Sequence, residues 1–467
     1  MRTLILSRLL LAAMCVASVS SFAGGPLVVG GPNFGHDGTP FVWNPAKMPI
    51  QYRVDPGPMA VTASGTTVID NATGLQRLQN MFASWSNVPT ASLSLSNAGA
   101  LLAAGSYKGG DLNTVQQYND VIGSCQAGTQ SPVIFDANGQ IMSGLGLPPE
   151  VIGFTSGCAL DSTNGFLTAA TIVLNGKFQD GVNSPSSSNF ELTANEFDEA
   201  ITHEMGHFLG LGHSQINLDL LTQNVFPCDA DRLSGLPLMF PEEICQARKD
   251  AGLPVLSPDD TAWISALYPS PSFASNYATI SGVIYFSDGV SQFQGANVIA
   301  RAVDDPSTAQ DESRRIAVSA ISGYLFTGNP GQSVTANMPD PTENNTNGDP
   351  DGTRDPQKIG YYQISVPPGT YTVEVESIFP SFVSDSGIGP LSPPVQVASP
   401  EFWNKDESAF DFPLQRDTIT VHAGDNITGI NIILNQTQPR FDQYEDSGEL
   451  LDPPTLAPVA RAEEVRG

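Results

Sequence analysis

Basic residues are scarce in this chain. Lysine and arginine together number 20, against 48 aspartates and glutamates, and the formal net charge is −28. Such a surface repels phosphate backbones and anionic headgroups, which argues against nucleic acid and anionic membranes as partners. The same acidity commonly keeps exported proteins soluble, so it names no target. Long apolar runs are also lacking. Beyond the first residues no stretch of about 18 apolar residues occurs, so no stable membrane insertion is expected. Charged residues make up only 15% of the chain, while glycine (44) and proline (37) are plentiful. That balance fits a loop-rich, strand-rich protein rather than a helical bundle.

Cysteine is sparse, and its placement is informative. Met1–Ala23 reads as a secretory signal, with Arg2 and Arg8 ahead of the apolar Leu9–Val16 and a small residue, Ala23, at the expected cut. Cys15 falls inside it. Four cysteines remain: Cys125, Cys158, Cys228 and Cys245. An even number in an exported chain suggests two disulfides, although four buried thiols are the plainer alternative. Three connectivities are open, and sequence proximity favours Cys125–Cys158 and Cys228–Cys245. Their spacing excludes a C-x-x-C zinc site. The expected location is extracellular, or the periplasm.

Histidine is rarer than the charge alone would require, and it is clustered. Three of the five histidines lie in His203-Glu204-Met205-Gly206-His207-Phe208-Leu209-Gly210-Leu211-Gly212-His213. On a helix His203 and His207, four apart, share a face and can grip one metal ion. Glu204 beside them is placed to act as a general base. Gly210 can end the helix in a left-handed turn and bring His213 round as a third ligand. A fourth position then stays open for water, which is the mark of a catalytic zinc rather than a structural one. A bare H-E-x-x-H also occurs on ordinary surface helices; the added glycine and third histidine make this form far more specific. Thr193 and Glu196 predict a capping box that starts the helix near Ala194. Asp198 on it reads as a solvated charge more readily than as a partner of the metal site.

The extended motif resembles the signature of metzincin metallopeptidases, and Ser214 directly after it points to the matrixin branch. Leu238-Met239-Phe240-Pro241 resembles the family's methionine turn. Leu256-Ser257-Pro258-Asp259-Asp260-Thr261 with Ile264-Ser265-Ala266-Leu267-Tyr268 is similar to its closing helix. Met48-Pro49-Ile50-Gln51-Tyr52-Arg53-Val54 resembles the first strand, and Phe82-Ala83-Ser84-Trp85-Ser86-Asn87-Val88 the end of the first helix. The resemblance covers about residues 41–269. It implies Met239 as an apolar floor beneath the zinc and Phe240 and Pro241 as lining of the pocket after the scissile bond. It also implies that a peptide lies along an edge strand, read here as Ala169–Leu174; an ordinary buried strand is the equal alternative. Three departures stand out. The span from His213 to Met239 is longer than usual. The only cysteine before the catalytic region is Cys15, so latency through a propeptide cysteine is not expected. Only His36 remains in this region once the three ligands are used, so a second, structural zinc is not expected. Calcium is compatible with the family.

After Pro269–Ser275, which reads as a linker, the pattern changes to short alternating strands. Ala278–Phe286, the turn at Asp288-Gly289, Gly295–Ala302, Gly360-Tyr361-Tyr362-Gln363-Ile364 and the run from Val366 to Val375 resemble a carboxypeptidase regulatory-like (transthyretin-like) β-sandwich. Thr418–Leu434 is similar to its closing hairpin. In Asp340–Asp355, the alternating Asn347, Asp349 and Asp351 could offer oxygens to calcium, as an ordinary polar loop also would.

The expected organisation is therefore a signal (1–23), a metzincin-like α+β catalytic domain with a twisted mixed sheet and an active-site helix (24–269), a linker (270–277), an all-β sandwich (278–436), and a disordered acidic tail (437–467). The expected activity is zinc-dependent endopeptidase action on protein or peptide substrates. One zinc ion would sit on His203, His207 and His213, with a zinc-activated water and Glu204 as general base. The alternative is a secreted binding or adhesion protein on an idle metzincin scaffold.

Overall fold

The computed structural model describes residues 24–30, 38–161, 163–182, 191–217, 220, 227–242, 244–325, 355–378, 397 and 401–437. The expected signal, His36, the candidate calcium loop apart from Asp355, and the tail beyond 437 lie outside the described residues. The chain is of mixed α/β type with several sheets and few helices.

The N-terminal half is built on five strands: β1 (Ile50–Val54), β2 (Leu95–Ala100), β3 (Pro132–Asp136), β4 (Gly153–Leu160) and β5 (Leu167–Asn175). Their order is β2-β1-β3-β5-β4, parallel except for the antiparallel β4. Parallel neighbours need crossovers, and helices α1 (Asn71–Ser86) and α2 (Val115–Gln126) supply them. β3, Pro-Val-Ile-Phe-Asp, is buried throughout, as a strand covered on both faces must be.

α1 begins at Asn71, because the Asp70 carboxylate accepts the Thr73 N–H at 2.8 Å and caps the first turn. Ala169–Leu174 is a strand but not an edge. It lies in β5, between β3 and β4, and is buried along its length. The edge strand on that side of the sheet is β4.

α1 packs on a third helix, α3 (Ala194–Phe208), and the two bury Leu78, Phe82, Trp85, Phe197, Ile201 and Phe208. The Trp85 indole donates to the Thr202 carbonyl at 2.8 Å. Asp198 is not a solvated charge. It pairs with Arg77 of α1 at 2.6 Å and ties the two helices together. A fourth helix, α4 (Pro258–Leu267), starts with the capping box of Ser257 and Asp260. Cys125–Cys158 and Cys228–Cys245 are bonded, the pairing that proximity favours. Among the described residues no helix is long and apolar enough to cross a membrane.

The C-terminal half is two β-sheets face to face. One holds β6 (Ala278–Tyr285). The other is built on β7 (Ala296–Ala302) and β8 (Ala317–Ile321). β9 (Tyr361–Val366) pairs with β6, and β10 (Gly369–Ser377) pairs with β7. Ile280, Ile284, Val298, Ala300, Val318, Tyr362, Ile364 and Val373 form the filling between them. The stretch expected as a linker is packed: the Phe273 and Tyr277 rings stack at 5.1 Å, and Tyr277 is buried in a core continuous across both halves.

Candidate metal centre

α3 begins with the predicted capping box. The Thr193 hydroxyl accepts the Glu196 N–H at 3.2 Å, and the Glu196 carboxylate accepts the Thr193 N–H at 2.8 Å. Three turns on, His203 and His207 project from one face. At the C-terminus the helix leaves carbonyls without intrahelical donors. Two buried rings meet them: the Trp43 indole donates to Phe208 O at 2.7 Å, and the Tyr268 hydroxyl to Leu209 O at 2.6 Å. Gly210 then turns with φ +92°. A Cβ there would stand 2.8 Å from the Phe41 carbonyl, so both the backbone sign and the space require glycine.

The turn delivers His213 to the other two imidazoles. The three Nε2 atoms lie 3.1 Å (His203–His207), 2.9 Å (His203–His213) and 3.0 Å (His207–His213) apart. His203 Nδ1 faces the Leu238 carbonyl at 2.7 Å, and His207 Nδ1 faces the Leu211 carbonyl at 2.8 Å. A carbonyl only accepts, so both Nδ1 atoms carry the proton and both Nε2 atoms present lone pairs. Burial keeps the rings neutral, drawing His203 down to about 4 and His207 to about 3, and holding His213 well below its ordinary value.

Neutral nitrogens facing one another across 3 Å suit a shared cation. Tetrahedral zinc–imidazole bonds of about 2.0–2.1 Å set ligand nitrogens about 3.3 Å apart, close to the spacing here. Among the described residues this is the one group of His, Cys, Asp and Glu that could hold a metal ion.

Glu204 lies between the two helical ligands in sequence and is itself buried. Its Oε2 has no hydrogen-bond partner among the described residues, and burial pushes the carboxyl up to about 7. The edge strand β4 runs beside it. The Thr155 hydroxyl donates to Glu204 O at 2.9 Å, and Gly153 is so close that a Cβ would approach Glu204 Cγ to 3.1 Å.

Met239 lies under the helix. A Cβ on Gly206 would meet the Met239 Sδ at 2.3 Å and the Trp85 ring at 3.0 Å, so Gly206 is what lets them pack there. The turn itself is held by Asp260 of α4. Its carboxylate accepts the N–H groups of Leu238 (2.7 Å), Met239 (3.0 Å) and Ser257 (2.7 Å). The carbonyl that orients His203 is thereby fixed from α4. Phe240 turns the other way, into a buried cluster with Leu233, Leu236, Cys245, Ile321 and Ile378, and Pro241 is half-buried.

The sequence names the imidazoles, Glu204 and Met239. It leaves out what orients them. The Leu211 and Leu238 carbonyls have no side-chain signature, whereas Asp260 had one in its capping box. No family model, no curated protein and no solved structure matches this chain.

Proposed function

We propose that this protein is an exported zinc endopeptidase of matrixin-like metzincin type, carrying a carboxypeptidase regulatory-like sandwich. The observation that carries the reading is the convergence of three Nε2 atoms, with Glu204, next in sequence to His203 on the same helix, keeping a buried carboxylate oxygen without a partner among the described residues. Three neutral imidazoles with one open position are a donor set suited to zinc. When bound, the ion supplies Lewis acidity toward a water molecule and the scissile carbonyl.

The chain's own residues do the rest. Glu204 Oε2 takes a proton from the attacking water and passes it to the leaving amine. A carboxyl with its pKa raised toward neutrality is suited to both transfers. β4, an outer strand of the sheet among the described residues, runs alongside Glu204, where an extended peptide added to it would align its backbone with the base. Two disulfides are compatible with an oxidising compartment outside the cytosol.

The test is the zinc content of the purified chain, together with hydrolysis of casein and a mixed peptide library by the wild type and by Glu204→Ala. Zinc in both proteins with cleavage reduced about 10²- to 10⁴-fold in the variant supports the reading. Equal cleavage by both, or a wild type that holds no zinc, sinks it.

A further inference from the structure

A β-sandwich with one sheet open to solvent alternates buried and exposed residues along its strands. β7 and β8 do not. Ala296–Ala300 and all of Ala317–Ile321 are buried. One face of these strands packs on the other sheet through Val298, Ala300, Val318 and Ala320. The other face carries Asn297, Ile299, Ala317, Ser319 and Ile321, and the N-terminal half covers it.

The part covering it is the stretch that leaves the third imidazole. Ser214, next to His213, places its hydroxyl 3.2 Å from the Ser319 hydroxyl, and its own N–H donates to the Met239 carbonyl at 2.7 Å. The Ser319 N–H donates to the Asp259 carboxylate at 2.8 Å, and the Ser319 carbonyl accepts the Trp263 indole at 2.6 Å. One residue on from Ser214, the Asn297 side-chain amide donates to the Gln215 carbonyl at 3.2 Å. Ile216 is fully buried against Ile299 and Ala317. Asn217 adopts φ +62°, and its side-chain oxygen accepts from Arg301 at 2.9 Å. Every residue from Ser214 to Asn217 thus has a partner on β7 or β8, and all are nearly inaccessible to solvent.

We infer that Ser319 and Asn297 of the β-sandwich are positioning residues for His213, so that the sandwich is an integral part of the metal centre rather than an appended module. The inference rests on the metal reading of the three histidines. Its physical basis is pre-organisation. His213 follows a glycine turn and has no helix of its own. Its Nδ1 finds no partner among the described residues, unlike the Nδ1 atoms of the other two imidazoles. Its carbonyl accepts the Gly24 N–H and the Gly212 N–H donates to the Gly25 carbonyl at 2.9 Å, while the residues that follow it are held by β7 and β8. Partners that orient a ligand typically contribute about 10- to 100-fold in metal affinity.

The experiment uses the full exported chain as wild type, Ser319→Ala, Asn297→Ala, the conservative Ser319→Thr, and Ser365→Ala, which removes a buried sandwich hydroxyl from β9 instead. Zn²⁺ affinity is measured by chelator competition. Amide exchange across 213–217 and thermal midpoints are measured on the metal-free proteins. We expect Ser319→Ala and Asn297→Ala to bind Zn²⁺ at least about tenfold more weakly and to exchange faster at 214–217. Their exchange in α3 should be unchanged and their midpoints should match Ser365→Ala. Ser319→Thr should recover the affinity. Affinity within about twofold of wild type in both alanine variants, with unchanged exchange at 214–217, would overturn the inference. Faster exchange throughout with a lowered midpoint would overturn it too, because that marks general destabilisation. A wild type that binds no Zn²⁺ would defeat the metal reading, and the exchange data would still decide whether the sandwich holds this stretch.

Discussion

His203 and His207 ride on one helix, whereas His213 is held by elements distant in sequence. The first pair follows from spacing: four residues of helix put two rings on one face. The third depends on a glycine turn, on Asp260 across the methionine turn, and on Ser319, 105 residues further along the chain than its partner Ser214. A motif written in eleven consecutive residues is therefore only partly local in its physics. The ligands are adjacent in sequence, but the forces that set them are not.

The strongest way to break this contrast is to remove what serves both sides. Asp260→Ala strips the acceptor from three backbone N–H groups and frees the carbonyl that orients His203. Each buried donor left unpaired costs about 1–3 kcal/mol, so chemical denaturation should show a loss of about 3 kcal/mol or more, together with weaker zinc binding. Next is the long connection from His213 to Met239. Replacing Cys228 and Cys245 with serine opens a 17-residue separation, worth about 3 kcal/mol of chain entropy. The midpoint should fall while His203 and His207 on α3 keep their places. An unchanged midpoint would show that packing of Phe240 and Leu233 alone fixes the insertion.

Gly206→Ala tests the helical pair instead. The added methyl meets Met239 and Trp85, and overpacking of this kind costs about 1–3 kcal/mol. Zinc affinity that falls no more than in the Ser319 variant would sharpen the contrast. A comparison within the sandwich itself is a pH dependence. Burial raises Glu401 and Glu407 from about 4.5 to about 7. Between those values the unfolded chain releases protons that the folded chain keeps. The unfolded state then binds fewer protons, and stability falls as pH rises from about 4.5 to about 7. Thermal midpoints across that window should decline in the wild type and flatten in Glu401→Gln/Glu407→Gln.

What was legible in the sequence was what local chemistry writes. The capping box of Thr193 and Glu196, the imidazole spacing and the cysteine pairing by proximity all concern neighbours. The strand at 167–175 was legible as a strand, but its place between β3 and β4 was not, because pairing order depends on contacts far along the chain. Asp198 gives no local hint that Arg77, 121 residues away, will reach it. The covered face of β7 was visible only as an apolar run, Ala-Asn-Val-Ile-Ala, which reads equally well as a strand buried on one side.

The indoles that hold the histidine-bearing helix also make it visible. Trp43 and Trp85 each donate to a carbonyl of α3, and Trp263 donates to Ser319 at the seam between the two halves. Three of the chain's four tryptophans thus report on the helix or on that seam. Intrinsic fluorescence, with no label attached, is an optical gauge of whether the centre is assembled.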